Sequence, residues 1–101
     1  MKIGIDIGDV SRTPKKLERI FSERELEYIA EKNHAPQTIV GMYCAKEAYF
    51  KAHGSGIKHN GLREIEVLHD ENGAPYYAEM PNTTLSISHS KTTAVAVCII
   101  F

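Results

Sequence analysis

Four polar side chains in this 101-residue sequence could share one piece of chemistry: Asp6, Glu47, Lys51 and His89. Asp6 sits in an alternating run and Glu47 interrupts an apolar one; Lys51 follows four positions later, and His89 ends a β-rich segment. Two carboxylates suit magnesium, which takes one or two protein carboxylates and completes its shell with water and substrate phosphates. A lysine nearby supplies a point charge for an anion, and a histidine supplies a further donor. Each residue has an ordinary reading as well. Glu47 and Lys51 at i,i+4 form a common helix pair worth about 0.2–0.5 kcal/mol. Asp6 fits a solvent-facing strand charge, and His89 fits a histidine satisfied by local carbonyls at a turn. Spacing alone does not choose between these readings.

Other chemistries drop out. No GxxxxGK[ST] run occurs, and Gly54-Ser55-Gly56 follows a helix, the wrong dipole end for phosphate. Asp70-Glu71-Asn72-Gly73 opens like a calcium loop, but the twelfth position is Pro81, where a bidentate glutamate is needed; a hairpin turn is expected instead. His34, His53, His59, His69 and His89 show no HxxxH or HExxH spacing, which argues against zinc. Twelve Lys and Arg against thirteen Asp and Glu leave no basic surplus for a nucleic-acid backbone.

The elements that must position the four residues are legible as patterns. Ile3, Ile5 and Ile7 alternate with Lys2, Gly4 and Asp6, the period of a half-buried strand in which Asp6 points away from the apolar face. Thr13-Pro14 reads as a helix start, and Ser22 to Glu25 as a capping box stapled by Phe21 and Leu26, giving two short helices bent near Phe21. A third helix is expected from Pro36 to Gly54; its middle is apolar nearly all round, which marks it as central and buried. Leu62 to Leu68 alternates like a strand, Asn72-Gly73 signals a hairpin, and Pro75 to Ala78 would return. Leu85 to His89 and Thr93 to Phe101 are two further strands, the last apolar on both faces and so expected in the centre. The sum is an α+β fold, a small antiparallel sheet packed with helices, in one domain over 1–101.

Composition sets the wider limits. The chain is 43% apolar and 25% charged, as ordinary globular domains are. A chain this short hides only about two-thirds of its unfolded surface, so one copy alone makes a poor extended cleft and self-association is expected. The apolar stretch from Ile39 to Ala52 is broken by Lys46, Glu47 and Lys51 and is shorter than the roughly 20 residues of a membrane span, so no membrane association is expected. The opening MKIGIDIGDV has no signal-peptide core, and Cys44 and Cys98 stand unpaired in apolar surroundings, as buried thiols do; a cytoplasmic location follows as an expectation.

At these same residues the chain resembles the holo-acyl-carrier-protein synthase type of phosphopantetheinyl transferase. GIDIGDVSR at Gly4 to Arg12 is similar to the family's opening segment, AKEAYFKAHGSGI at Ala45 to Ile57 to its central signature, and LSISHS at Leu85 to Ser90 to its closing segment. REIEVLHDENGAP, between the last two, resembles the family's strand, hairpin and return. The resemblance implies transfer of 4′-phosphopantetheine from coenzyme A to a serine of apo acyl carrier protein, with release of adenosine 3′,5′-bisphosphate, a step of fatty acid biosynthesis. A noncatalytic carrier-binding module of the same fold is the alternative. The resemblance further implies magnesium held by Asp6 and Glu47, with manganese not distinguished, and Glu47 and Lys51 as catalytic residues. Lys51, His89 and Ser90 would bind coenzyme A, and Arg12 and Arg24, with Arg19 beside them, would contact the acidic carrier. It implies a homotrimer with sites at subunit boundaries. An arginine commonly stands in the family where Met42 stands here; Lys46, Lys58 and His59 are candidates for its phosphate contact.

Overall fold

The computed structural model describes residues 1–54 and 59–101. Among these residues five strands and two α-helices run in the order β1 (Lys2–Asp9), α1 (Glu23–Glu31), α2 (Pro36–His53), β2 (Val67–His69), β3 (Pro75–Tyr77), β4 (Thr83–His89) and β5 (Thr93–Ile100). Short 3-10 turns occupy Val10–Arg12, Leu17–Arg19 and His59–Glu64. Strands β1, β5 and β4 form one antiparallel sheet with β5 in the middle, and β2 and β3 form a separate hairpin. The α+β expectation holds, and the strand apolar on both faces is the central one. The Asn72-Gly73 signal is a turn as expected: Asp70 Oδ1 accepts the Asn72 and Ala74 N–H groups, both at 2.9 Å, so this carboxylate is spent on the hairpin.

Helix α2 packs across β1, β5 and β4 and carries much of the core, including Val40, Met42, Cys44, Ala45 and Ala48. Its limits follow from chemistry: Pro36 fits the first turn, and Gly54 closes the helix in the left-handed region at φ 83°. The sheet meets it with small residues, Ala94, Ala96 and Cys98 on β5 and Gly4 on β1. A Cβ at Gly4 would overlap the Ala48 carbonyl oxygen and the Ala52 nitrogen, so backbone lies directly on backbone there. Ile3, Ile5 and Ile7 therefore do not form the buried face: they are 59%, 57% and 69% exposed. The alternation read from the sequence is correct, but it is the Gly4–Asp6–Gly8 face that the helix covers.

A second constraint holds α1 and the 59–67 segment to α2. The capping box is present: the Ser22 N–H donates to Glu25 Oε1 at 2.9 Å, and the Glu25 N–H to Ser22 Oγ at 3.3 Å. The same Glu25 carboxylate accepts from Lys46 Nζ at 2.7 Å and from the Val67 N–H at 2.9 Å. Lys46 spends its other two protons on the Leu62 and Ile65 carbonyls, at 2.7 and 2.8 Å. Both side chains of this pair are fully buried. That explains a difference from the sequence reading: carbonyls turned toward the ammonium cannot pair in a ladder, so the strand expected from Leu62 begins only at Val67. Thr13-Pro14 does not start a helix either. Thr13 is extended at ψ 126°, as a residue before proline tends to be, and the first α-helix starts at Glu23.

Lys46→Met should leave the Glu25 carboxylate buried without its cation and lower stability by about 3–5 kcal/mol. Urea denaturation checks this; a midpoint equal to that of the unaltered chain would show that the pair does not hold these elements together.

Candidate active site

The close approach of β1 to α2 turns Asp6 into the helix, where it meets Glu47 and Lys51. Lys51 Nζ donates to Asp6 Oδ1 at 2.8 Å, so the lysine pairs with the strand carboxylate in preference to its helix neighbour Glu47. Asp6 and Glu47 are each only 8% exposed, and both line the same cavity. Burial, followed by the Asp6 contact, pushes the Glu47 carboxyl up to about 7, with the Tyr43 hydroxyl and the Lys51 charge pulling the other way. Lys51 is raised chiefly by its hydrogen bond to Asp6. Tyr43 and Cys44, on the same turn of α2, are both pushed up to about 12, first by burial and then by the carboxylates beside them.

These groups open into a cavity of about 390 Å³ lined by Asp6, Asp9, Arg12, Tyr43, Cys44 and Glu47. Beyond Tyr43, Pro14 and Ile20 the wall continues into a groove of about 850 Å³ that carries Lys16, Arg19 and Arg63. Two buried carboxylates beside a cavity are a donor set that a hard divalent cation fits, because the cation satisfies both charges. Among the described residues no group of three or more His, Cys, Asp or Glu side chains is placed to hold a metal ion. The set therefore fits magnesium, which asks for few protein ligands, better than zinc.

The other expected residues are distributed as follows. His89 and Ser90 do not join Asp6 in one copy of the chain. Across the sheet Gly8 pairs with Ala94 and Ala94 with His89, so His89 stands two strands from β1, on the far flank of α2. There it lines a cleft of about 190 Å³ with Gln37, Thr38, Met42, His69 and Pro75. Ser90 Oγ accepts the Thr92 and Thr93 N–H groups at 3.3 and 3.2 Å and so shapes the β4–β5 turn. Lys46 is fully committed to Glu25 and two carbonyls and has no proton left for a phosphate. Lys58 and the His59 side chain lie outside the described residues. Arg12 reaches the carboxylate cavity, whereas Arg24 is held in a bidentate pair with Glu66 at 2.6 and 3.2 Å. Tyr43 is the site residue that sequence reasoning missed; its signal was its place one turn before Glu47 on α2.

The family model for the 4′-phosphopantetheinyl transferase superfamily matches residues 2–99, and the chain belongs to that superfamily. It is 40% identical to a holo-[acyl-carrier-protein] synthase of Clostridium botulinum (strain Alaska E43 / Type E3), over 97% of this chain and 94% of that protein. It is 34% identical to one of Finegoldia magna, over 99% and 95%. Among solved structures it is similar to a holo-(acyl-carrier-protein) synthase of Bacillus anthracis in complex with CoA (3′,5′-ADP), with TM-score 0.80 and 37% identity over 96% of this chain and 92% of that one. A Helicobacter pylori holo-[acyl-carrier-protein] synthase in complex with coenzyme A gives TM-score 0.82 and 28% identity over 98% and 99%. No helix among the described residues is long and apolar enough to cross a membrane.

In metal-free protein the raised Glu47 carboxyl gives a pH dependence of known sign. The folded chain holds this proton up to about 7 and the unfolded chain only to the ordinary 4.5, so the folded state binds more protons in that window. Stability from this group is therefore full below the lower value and is lost as pH rises to the upper one. Thermal melts in chelator from pH 5 to 7.5 should show the unaltered chain losing ground to Glu47→Gln; a pH-independent difference would contradict the raised carboxyl.

Proposed function

We propose that this chain transfers 4′-phosphopantetheine from coenzyme A to a serine hydroxyl of an apo acyl carrier protein, releasing adenosine 3′,5′-bisphosphate. The observation that carries this reading is the buried Asp6–Glu47 pair with Lys51 bonded to it at 2.8 Å, in a chain of this superfamily. Attack of a hydroxyl on a pyrophosphate phosphorus spreads charge over oxygens, and catalysis is largely positioning plus electrostatic stabilisation. Asp6 and Glu47 would hold magnesium, which when bound supplies charge neutralisation at the pyrophosphate. Lys51, 43% exposed at its side chain, stands at the edge of the pair, where its ammonium can neutralise or protonate the departing phosphate. Arg12 on the cavity rim is placed to meet an acidic carrier near the reacting serine, and a rim charge of this kind mainly raises the association rate. Arg24 would join it only at the cost of sharing its pair with Glu66.

His89 and Ser90 would hold a phosphate of coenzyme A, and their distance from Asp6 within one chain calls for a second copy. The outer face of the sheet supports a homotrimer. There Ile3, Ile5 and Ile7 pair across the ladder with Ile99, Val97 and Val95 to make a continuous apolar strip, more than scattered surface residues would leave in water. Packing that strip against neighbouring copies would bring His89 of one chain to the carboxylates of the next. The noncatalytic alternative has less support, since the two carboxylates and the lysine keep a geometry that carrier binding alone does not require.

Mass spectrometry of purified apo acyl carrier protein incubated with the chain, coenzyme A and magnesium tests the reading. A phosphopantetheine mass gain is expected with the unaltered chain and none with Asp6→Ala or Glu47→Ala, while both variants keep the fold. No gain with the unaltered chain, or full gain with either variant, would overturn it.

A further inference from the structure

The β2–β3 hairpin is held differently at its two ends. At its base the Val67 N–H donates to Glu25 Oε2 at 2.9 Å and the Tyr77 hydroxyl to the Ala45 carbonyl at 2.6 Å. Toward its tip the ladder ends at the pair His69 and Pro75, and there the His69 ring lies flat on Tyr28 of α1, with centroids 3.8 Å apart and an interplanar angle of 2°. Both rings line the His89 cleft, whose wall includes Gly73 and Pro75 from the tip, and both line a second cleft of about 240 Å³ on the side of Arg24 and Tyr76. His69 Nδ1 is shut off from solvent and has no hydrogen-bond partner among the described residues. A neutral imidazole tolerates this better than an imidazolium, because one neutral ring nitrogen carries no proton whereas both charged ones donate. A proton taken up by His69 would leave a buried charged donor without an acceptor. The tyrosine face offers a cation little, since Lys32 Nζ already stands over that ring, 5.5 Å from its centroid. Burial, then Lys32, hold the His69 imidazole below its ordinary value, and Asp70 pulls the other way. The other titratable groups around the two clefts are Arg24, Glu27 and Glu31 on α1, Tyr76 on β3 and His89 on β4, and none of them reaches Nδ1; α2 contributes only uncharged side chains. We propose that His69, stacked on Tyr28, is a positioning residue for the hairpin wall of the His89 cleft, and that its hold is released when the imidazole takes up a proton. The base stays anchored, so the part that opens is the tip with Gly73 and Pro75. For coenzyme A the consequence rests on the proposed role of His89, and its sign is diagnostic: protonating His89 itself would strengthen the grip on a phosphate as pH falls, whereas releasing the wall weakens it.

Hydrogen exchange from pH 7.5 to 5, corrected for the intrinsic rate, tests the hold in the unaltered chain and in His69→Phe, whose ring stacks but does not titrate. Two amides report on the two ends: Asp70, bonded to the Ala74 carbonyl at the tip, and Ala78, bonded to the Glu66 carbonyl at the base. Because the folded state holds the His69 proton less tightly than the unfolded one, the contribution of this group is full above the ordinary 6.5 and is lost as pH falls. Protection of Asp70 in the unaltered chain should therefore drop toward pH 5 by up to about thirtyfold, the limit set by about 1.5 pH units below an ordinary imidazole, with Ala78 level. In His69→Phe both amides should stay level. Equal loss at Asp70 in both proteins, or no loss in the unaltered chain, would overturn the role of His69. If His69→Phe does not fold, nuclear magnetic resonance of the unaltered chain decides: a His69 midpoint below 6.5 with Asp70 protection falling at the same pH supports the hold, and a midpoint at or above 6.5 overturns it. Calorimetry separates this outcome from the proposed function. The ratio of coenzyme A dissociation constants, unaltered chain over His69→Phe, should rise by a similar factor from pH 7.5 to 5, and a constant ratio despite release of the tip would overturn the positioning role. Release of the tip with no coenzyme A binding in either protein would support the hold by His69 and overturn the reading of the His89 cleft.

Discussion

Strand β1 lies so close to helix α2 that no side chain fits between them at Gly4, where an added Cβ would run into the Ala48 carbonyl and the Ala52 nitrogen. The rest of the functional architecture depends on that approach. It puts the next inward residue of the strand, Asp6, in a hydrogen bond with Lys51 and in one cavity wall with Glu47 on the helix. It also leaves the strand's large residues nowhere to go but outward, so Ile3, Ile5 and Ile7 form an apolar strip with Val95, Val97 and Ile99. One steric fact thus produces both the carboxylate pair and the surface on which copies of the chain would meet.

The site needs a rigid helix as well as a close one, and the opposite side of α2 provides for this. Lys46 directs its ammonium away from the cavity into Glu25 and the Leu62 and Ile65 carbonyls, while its neighbour Glu47 faces Asp6. Burying a charge this completely is expensive unless every proton finds an acceptor, and here all three do. The adjacent residues Lys46 and Glu47 therefore divide the work: the first anchors α1 and the 59–67 segment to the helix, and the second lines the cavity with Asp6.

Much of this was legible in the sequence where local chemistry decides the outcome. Pro36 and Gly54 bound α2, Ser22 and Glu25 build the capping box, Asn72-Gly73 turns the hairpin, and the doubly apolar β5 takes the centre of the sheet. What local pattern could not decide was which face of β1 is covered. Alternation says that Ile3, Ile5 and Ile7 share a side; only the helix packed on the glycines says that this side is the outer one. The Leu62–Leu68 run failed as a strand for a related reason: its carbonyls answer a lysine sixteen or more positions away, which no short window of sequence contains. Of the site, Asp6, Glu47 and Lys51 came together as their motifs implied, although Lys51 chose Asp6 over its helix neighbour. Tyr43 escaped notice because a tyrosine in an apolar helix reads as core until it is seen to wall the cavity beside Glu47.

In the proposed transfer, the carboxylates of one chain work with His89 of another. Co-expression of Glu47→Ala and His89→Ala chains carrying different affinity tags, followed by isolation of mixed oligomers, tests it most directly. Because each variant lacks a different half of the site, mixed oligomers should contain some sites with both halves intact and should transfer phosphopantetheine well above either variant alone. Mixed oligomers that form yet remain as inactive as the separate variants would contradict a site shared between copies.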